Sequence, residues 1–255
     1  MRIRIGLMGL LVSVVLCAAP GSGIATGADP VDPSAPLKMH IISGSGEYKS
    51  EPSLKEFKDY LEKHYRVSCT ASWGKDGGSS LDNLDALPQA ELLIVFARRL
   101  KLPEEQMKVI RSHWEKGKPI IGIRTAGHAF QQADNDIFDK QVLGGHYKGH
   151  YGNEPVKVLV TEAAKDHPVL AGVGPFTSRK LYSAGPLAKG ATVLQTGDIG
   201  KAQHPVTIVH ANRGGRTFFT SLGVPEDFED KEFRQLLTNA VFWTTQRDLA
   251  KMKKP

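Results

Sequence analysis

From residue 38 to residue 123 the chain alternates short apolar runs with amphipathic stretches. "KMHIIS" (38–43) and "YRVSCTA" (65–71) are β-prone, and "AELLIVFA" (90–97) is apolar without a break after Glu91. An unbroken run of that length predicts a strand covered on both faces, as in a parallel sheet. "KPIIGI" (118–123) repeats the signature. Between these runs Leu54, Phe57 and Leu61 fall on one helical face that opens near Pro52. Met107, Ile110 and Trp114 fall on another, with Pro103, Glu104 and Glu105 at its start and Gly117 at its end.

The order strand, helix, strand, loop, strand, helix, strand, helix indicates an α/β fold with an open, mainly parallel sheet and helices on both faces. The final third changes character. "EPVKVLVT", "GATVLQTG", "HPVTIVHA" and "GRTFFTSL" are strands at close spacing with turns such as "NRGG" between them. We read them as antiparallel additions to one sheet edge. A last helix carries Phe233, Leu236, Leu237, Ala240 and Val241, a stripe broad enough to pack back on the sheet. Neither an internal repeat nor an interior linker is evident, so 38–248 reads as a single domain followed by a basic C-terminal tail, 249–255.

The opening residues read as separate from that domain. Arg2 and Arg4 precede a 15-residue apolar run, Ile5 to Ala19, and small residues follow it. This is the pattern of a secretory signal peptide over 1–28, and the run falls short of the roughly 20 residues of a membrane-spanning helix. The expectation is an exported protein, periplasmic or secreted, without stable membrane insertion. The proline-bearing "DPVDPSAPL" (29–37) reads as a disordered tail. Without the first 28 residues Cys69 is the only cysteine, so no internal disulfide can form, and its place in a strand suggests a buried, inert thiol. The formal charge is +6, dispersed rather than gathered into a stripe with aromatics, which disfavours a nucleic-acid partner.

In open parallel sheets, ligands sit outside the carboxyl ends of the strands. Three such ends carry candidate chemistry. "SGSGEYKS" (43–50) follows the first strand, and its glycines and successive N–H groups predict an anion-binding nest with Ser43, Ser45, Glu47 and Tyr48. Arg98 and Arg99 follow the third, where a guanidinium can grip carboxylates, phosphates or hydroxyls. "PIIGIRTAGHAF" (119–130) reads as strand, turn and helix start. Thr125 is placed to cap that helix, Arg124 at the apex, and His128 in its first turn, where the helix dipole should keep the ring neutral. "LGGHYKGHYGN" (143–153) reads as a glycine-rich loop whose His146, Tyr147 and His150 suit a hydroxyl-rich ligand. Its glycines exclude a helical metal pair, so no metal and no cofactor is expected.

The segments "LPEEQMKVIRSHWEKGKPIIGIRTAGHAF", "LGGHYKGH", "DHPVLAGV", "LYSAGPLAKGATVLQTG", "GGRTFFTSLG" and "FRQLLTNAVFWTTQ", in that order, resemble the ThuA-like (trehalose-utilisation) family over residues 38–246. The resemblance implies a flavodoxin-like three-layer fold, similar to the class I glutamine amidotransferases. Arg124 stands where those amidotransferases have cysteine, so glutaminase activity is not expected. It further implies a role in carbohydrate metabolism with a small sugar as partner. Arg179 and Lys180 stand where relatives commonly have Asp-Glu, and Val224 where they have His; the basic replacements point to a more anionic ligand, such as an acidic or phosphorylated sugar. Two readings stay open. One is a sugar-processing hydrolase or isomerase with Glu47, His128 and His150 as catalytic groups and Arg98 and Arg124 stabilising charge. The other is a non-catalytic carbohydrate-binding or scaffold protein. Self-association into a homo-oligomer is also open.

Overall fold

The computed structural model describes residues 35–255. The signal peptide expected over 1–28 and most of the tail expected over 29–37 lie outside the described residues. Leu37, placed in that tail, is instead the fully buried first residue of β1 (Leu37–Gly44).

The parallel strands are β1, β2 (Val67–Trp73), β3 (Leu92–Ala97) and β4 (Ile120–Ile123), joined by α1 (Ser50–His64) between β1 and β2 and α2 (Glu104–Glu115) between β3 and β4. A short helix α3 (Gln132–Ile137) follows, then β5 (Tyr147–His150), β6 (Pro155–Val160), β7 (Thr177–Arg179) and β8 (Tyr182–Ala184). The chain closes with β9 (Thr192–Asp198), β10 (Gln203–Asn212), β11 (Gly215–Thr220), α4 (Pro225–Glu229), α5 (Lys231–Thr244) and α6 (Leu249–Met252).

A nine-stranded sheet runs in the order β2-β1-β3-β4-β11-β10-β9-β6-β7, and β5 pairs with β8 apart from it. The apolar run of β3 shows why the fold has three layers. Leu92, Ile94 and Phe96 pack with Leu54, Phe57 and Leu61 of α1 and the stripe Phe233, Leu236, Leu237, Ala240 and Val241 of α5. Leu93, Val95 and Ala97 face the other way, onto Met107, Ile110 and Trp114 of α2. Successive strand residues point to opposite faces, so a strand buried on both sides must be apolar throughout. Gly117 ends α2 with φ +64, a conformation that glycine adopts without a Cβ clash.

Two expectations are corrected. "GRTFFTSL" is not an antiparallel edge addition: β11 lies parallel to β4 in mid-sheet, with Phe218 opposite Ile121, and only β10, β9, β6 and β7 extend the sheet in antiparallel pairs. Its burial on both faces explains the position, since Thr217, Phe218 and Thr220 are wholly enclosed. Residues 249–255 are not a free tail. Met252 is buried, its carbonyl accepts from Arg66 N (2.7 Å), and Lys253 bridges Tyr65. Among the described residues no helix is long and apolar enough to cross a membrane.

Candidate functional site

The carboxyl ends of β1, β3 and β4 lie side by side, because β3 sits between the other two in the sheet. The backbone ties the three ends together at once. Arg98 N donates to Gly44 O (3.0 Å), and Arg99 N and Leu100 N donate to His128 O (2.9 Å) and Ala129 O (2.7 Å).

The loop after β1 is not the open anion nest expected of it. Three of the N–H groups that would line it are already taken: Ser45 N by Ser50 Oγ (2.8 Å), Glu47 N by Asp76 Oδ2 (3.2 Å), Lys49 N by Gly46 O (3.1 Å). Ser43 Oγ is hydrogen-bonded to Ser50 Oγ (2.8 Å), and Ser43 and Ser45 are both buried, so neither presents its hydroxyl to a ligand. Glu47 does reach the surface, its side chain 42% exposed, and its carboxylate lies 3.6 Å from Arg98 Nε. Asp76 approaches the same guanidinium at 4.0 Å. The sequence reading missed Asp76, which lies in the loop after β2 and is brought in only by the fold.

Arg124 differs most from expectation. It is 1% exposed and adopts φ +51 at the apex of the turn. Its guanidinium donates to Ser221 O, Lys180 O (2.7 Å) and Tyr48 Oη (3.4 Å), between the rings of Tyr48 (4.6 Å) and Tyr182 (4.0 Å). Arginine is rarely fully buried unless paired, and here backbone carbonyls and two aromatic faces replace its hydration. It therefore acts as a strut joining β4, β11 and the approach to β8, and its charge does not face a ligand. Thr125 is also enclosed, its Oγ1 without a partner, and it caps no helix, because residues 124–128 form a tight 3-10 turn whose first flanking residue is Ile123.

His128 ends that turn, partly open to solvent. Its ring stacks on Tyr147 (centroids 4.2 Å apart, planes at 29°), and Tyr147 Oη lies 3.3 Å from His150 Nδ1. Burial, then the charges of Arg98, Arg99, Arg124 and His150, push the His128 pKa down to about 3. The ring is neutral as expected, but through desolvation and neighbouring cations rather than a helix dipole. So low a value makes His128 a weak base, better suited to hydrogen bonding than to taking a proton. Within the stretch read as a glycine-rich loop, residues 147–150 form strand β5, with His150 opposite Tyr182 of β8. His146 precedes this strand and is not part of the stack, its Nδ1 lying 3.3 Å from Pro186 O.

Asp139 holds this strand in place. It is buried, and its Oδ2 accepts from Tyr147 N (2.9 Å). Its Oδ1 lies so near Gly127 and Gly145 that a Cβ at either would come within 3.2 and 2.8 Å of it. Burial raises its pKa to about 6. Glu47, Tyr48, Arg98, His128 and His150 thus share one rim, Arg124 lies beneath it, and Ser43, Ser45, Thr125 and His146 are turned away or enclosed. Tyr182 and Asp139 join it without a local sequence signal, and so does Lys180, which the sequence marked only as a departure from relatives.

A recess of about 720 Å³ lies elsewhere, beside Arg216 at the amino end of β11 and Trp243 near the end of α5. It holds no histidine, and its carboxylate, Asp248, caps α6. Behind Tyr147 and Tyr182 is a void of only about 20 Å³. A recess of about 310 Å³ beside Glu56, Tyr60, Glu229 and Arg234 likewise holds no histidine, and we place the candidate site at the carboxyl rim, where histidines, carboxylate and guanidinium meet.

The family model for ThuA, described as trehalose utilisation, matches residues 38–244. No curated protein matches the chain. Among solved structures, a ThuA-like protein of Bacteroides uniformis ATCC 8492 is similar at TM-score 0.62 and 17% identity, over 86% of this chain and 95% of that one. A ThuA-like protein of Parabacteroides merdae ATCC 43184 gives TM-score 0.62 and 16% identity, over 86% and 92%. A cold-adapted β-galactosidase of Rahnella sp. R3 gives 0.58 and 15%, over 84% of this chain but 32% of its own. At these identities the likeness is one of fold.

Proposed function

The chain belongs to the ThuA family, and from that premise we propose that it is a sugar-processing protein of carbohydrate metabolism, working by acid–base chemistry at the carboxyl rim. Export by residues 1–28 is part of the same proposal. The observation that carries it is the meeting of three strand ends, where exposed Glu47 pairs with Arg98 and neutral His128 stacks on Tyr147 beside His150.

A tyrosine face, an imidazole and a guanidinium are the groups that grip a hydroxyl-rich ring. Glu47 is the proton-transferring candidate, with Asp76 the second carboxylate beside Arg98. Hydrolysis or isomerisation through such groups needs no thiol, in keeping with Arg124 at the amidotransferase cysteine position and with the enclosed Cys69, whose thiol burial pushes up to about 12.

The test is a thermal-shift screen over neutral, acidic and keto sugars, followed by turnover assays on the hits. Binding stabilises the native state by mass action, so a hit at one hundred times its Kd adds about 2.7 kcal/mol. Glu47→Gln should retain binding and lose turnover at least 100-fold. Unchanged turnover in that variant would remove Glu47 from the chemistry. Weakened binding with no turnover in either protein would make this a carbohydrate binder.

A further inference from the structure

We infer that the rim selects sugars carrying an anionic group, a carboxylate or a phosphate, and that Lys180 and Arg99 receive it. This rests on the sugar-binding reading above and names its substrate class.

The first ground is unbalanced charge. Arg98 has both surface carboxylates of the rim, Glu47 and Asp76, within 4.0 Å. Arg99 and Lys180 form no ion pair or side-chain hydrogen bond with any described residue, and Lys180 Nζ rests 5.1 Å from the centre of the Tyr48 ring. Beneath them the charge of Arg124 is offset by the buried carboxylate of Asp227, which accepts from Ser178 Oγ, Gly223 N and Val224 N, so the unbalanced charges are those of Arg99 and Lys180. The field is felt at the centre of the site, where Arg98, Arg99 and Arg124 all disfavour a proton on His128. A cluster of like charges that the protein does not itself neutralise is completed by an anion.

The second ground is backbone conformation. Arg99 (φ +52), Arg124 (φ +51) and Lys180 (φ +57) all occupy the left-handed region, which residues with a Cβ rarely adopt. Such conformations persist where surrounding contacts enforce them, and they gather at ligand sites. The enforcing contacts are present: Arg99 N is held by His128 O, and the carbonyl of Lys180 by the guanidinium of Arg124. The buried strut thus fixes the backbone of the free ammonium above it. Arg99 and Lys180 come from two distant segments and flank Tyr48 and His128, so an anionic substituent would meet them while the sugar ring lies over the aromatic groups.

Calorimetric titration of the full chain tests this, with glucuronate as the sugar carboxylate, glucose 6-phosphate as the sugar phosphate, glucose as the neutral sugar, and inorganic phosphate alone. The variants are Lys180→Asn and Arg99→Asn, since asparagine tolerates the left-handed region, with Lys165→Gln as a distant control. At least one anionic sugar should bind tenfold or more tighter than glucose, weaken with added salt, and lose tenfold or more in each rim variant. Glucose affinity and the urea midpoint should not move. Which anion binds tighter tells carboxylate from phosphate. The inference falls if glucose matches both anions, or if the rim variants act no differently from Lys165→Gln. Binding of inorganic phosphate with no sugar would keep the anion site and end the carbohydrate reading. Binding of nothing would end both.

Discussion

Replacing Arg124 by alanine tests the view that this residue is a strut rather than a ligand-facing charge. Truncation strands the carbonyls of Ser221 and Lys180, which the guanidinium now satisfies. Each orphaned buried acceptor costs about 1–3 kcal/mol. The lost sandwich between Tyr48 and Tyr182 adds about 2 kcal/mol at a desolvated site. Against this, a buried charge is removed, which returns several kcal/mol. The net expectation is a loss of about 3 kcal/mol, within the range for breaking a buried polar network. Arg124→Met should recover the filled volume but not the carbonyls, and fall between the two. Arg124→Gly gives a second sign: at φ +51 a Cβ costs about 1 kcal/mol, so glycine should be at least as stable as alanine. Urea unfolding at pH 7, analysed by linear extrapolation, measures all three. Alanine and methionine variants within about 0.5 kcal/mol of the parent, or a glycine variant less stable than alanine, would refute the reasoning.

Acid should destabilise the fold. Burial lowers His40 and His113 to about 4 and, with nearby cations, His128 to about 3, so the unfolded chain binds more protons below pH 6.5 and stability falls with pH. Asp139, raised to about 6, opposes this, because the native state takes up its proton first between pH 6 and 4. Burial lowers His167 and raises Asp227 as well, so four groups against two leave a loss on the order of 2 kcal/mol per pH unit in that window, read from urea midpoints, and a flat profile would contradict it. Asp139→Asn should steepen the fall, whereas a shallower one would show the carboxylate titrating elsewhere. Cys69, its thiol pushed up to about 12, should react with a thiol reagent at least 100-fold more slowly in native protein than in urea. Equal rates would mean that the strand opens readily.

The layered fold was legible because its evidence is local. An unbroken apolar run such as 92–97 can only be a strand buried on both faces, and the stripes of α1, α2 and α5 each fix a packing face. The place of β11 was not legible: its mixed Thr and Phe pattern suits an edge as well as a centre, and long-range pairing with β4 decides. Glycines at 144, 145 and 149 concealed β5, which is held by Asp139 and β8 rather than by propensity. At the site, the sequence located the strand ends but not the direction of side chains. Arginine at 124 looks exposed until three acceptors and two rings are found around it. Asp76 and Tyr182 enter only through contacts across 29 and 58 residues of chain, and Lys180, noted in the sequence as a departure from relatives, is placed at the rim only by a contact across 56.

The central claim is that a sugar is held at the carboxyl rim. Amide chemical-shift mapping with the tightest sugar from the screen tests it most directly. The account predicts the largest shifts at 44–48, 97–99, 126–130, 147–150 and 180–182, saturating together at one Kd. Shifts centred instead on Gln235, Trp243 and Asp248 around the opposite recess, with the rim unmoved, would contradict it.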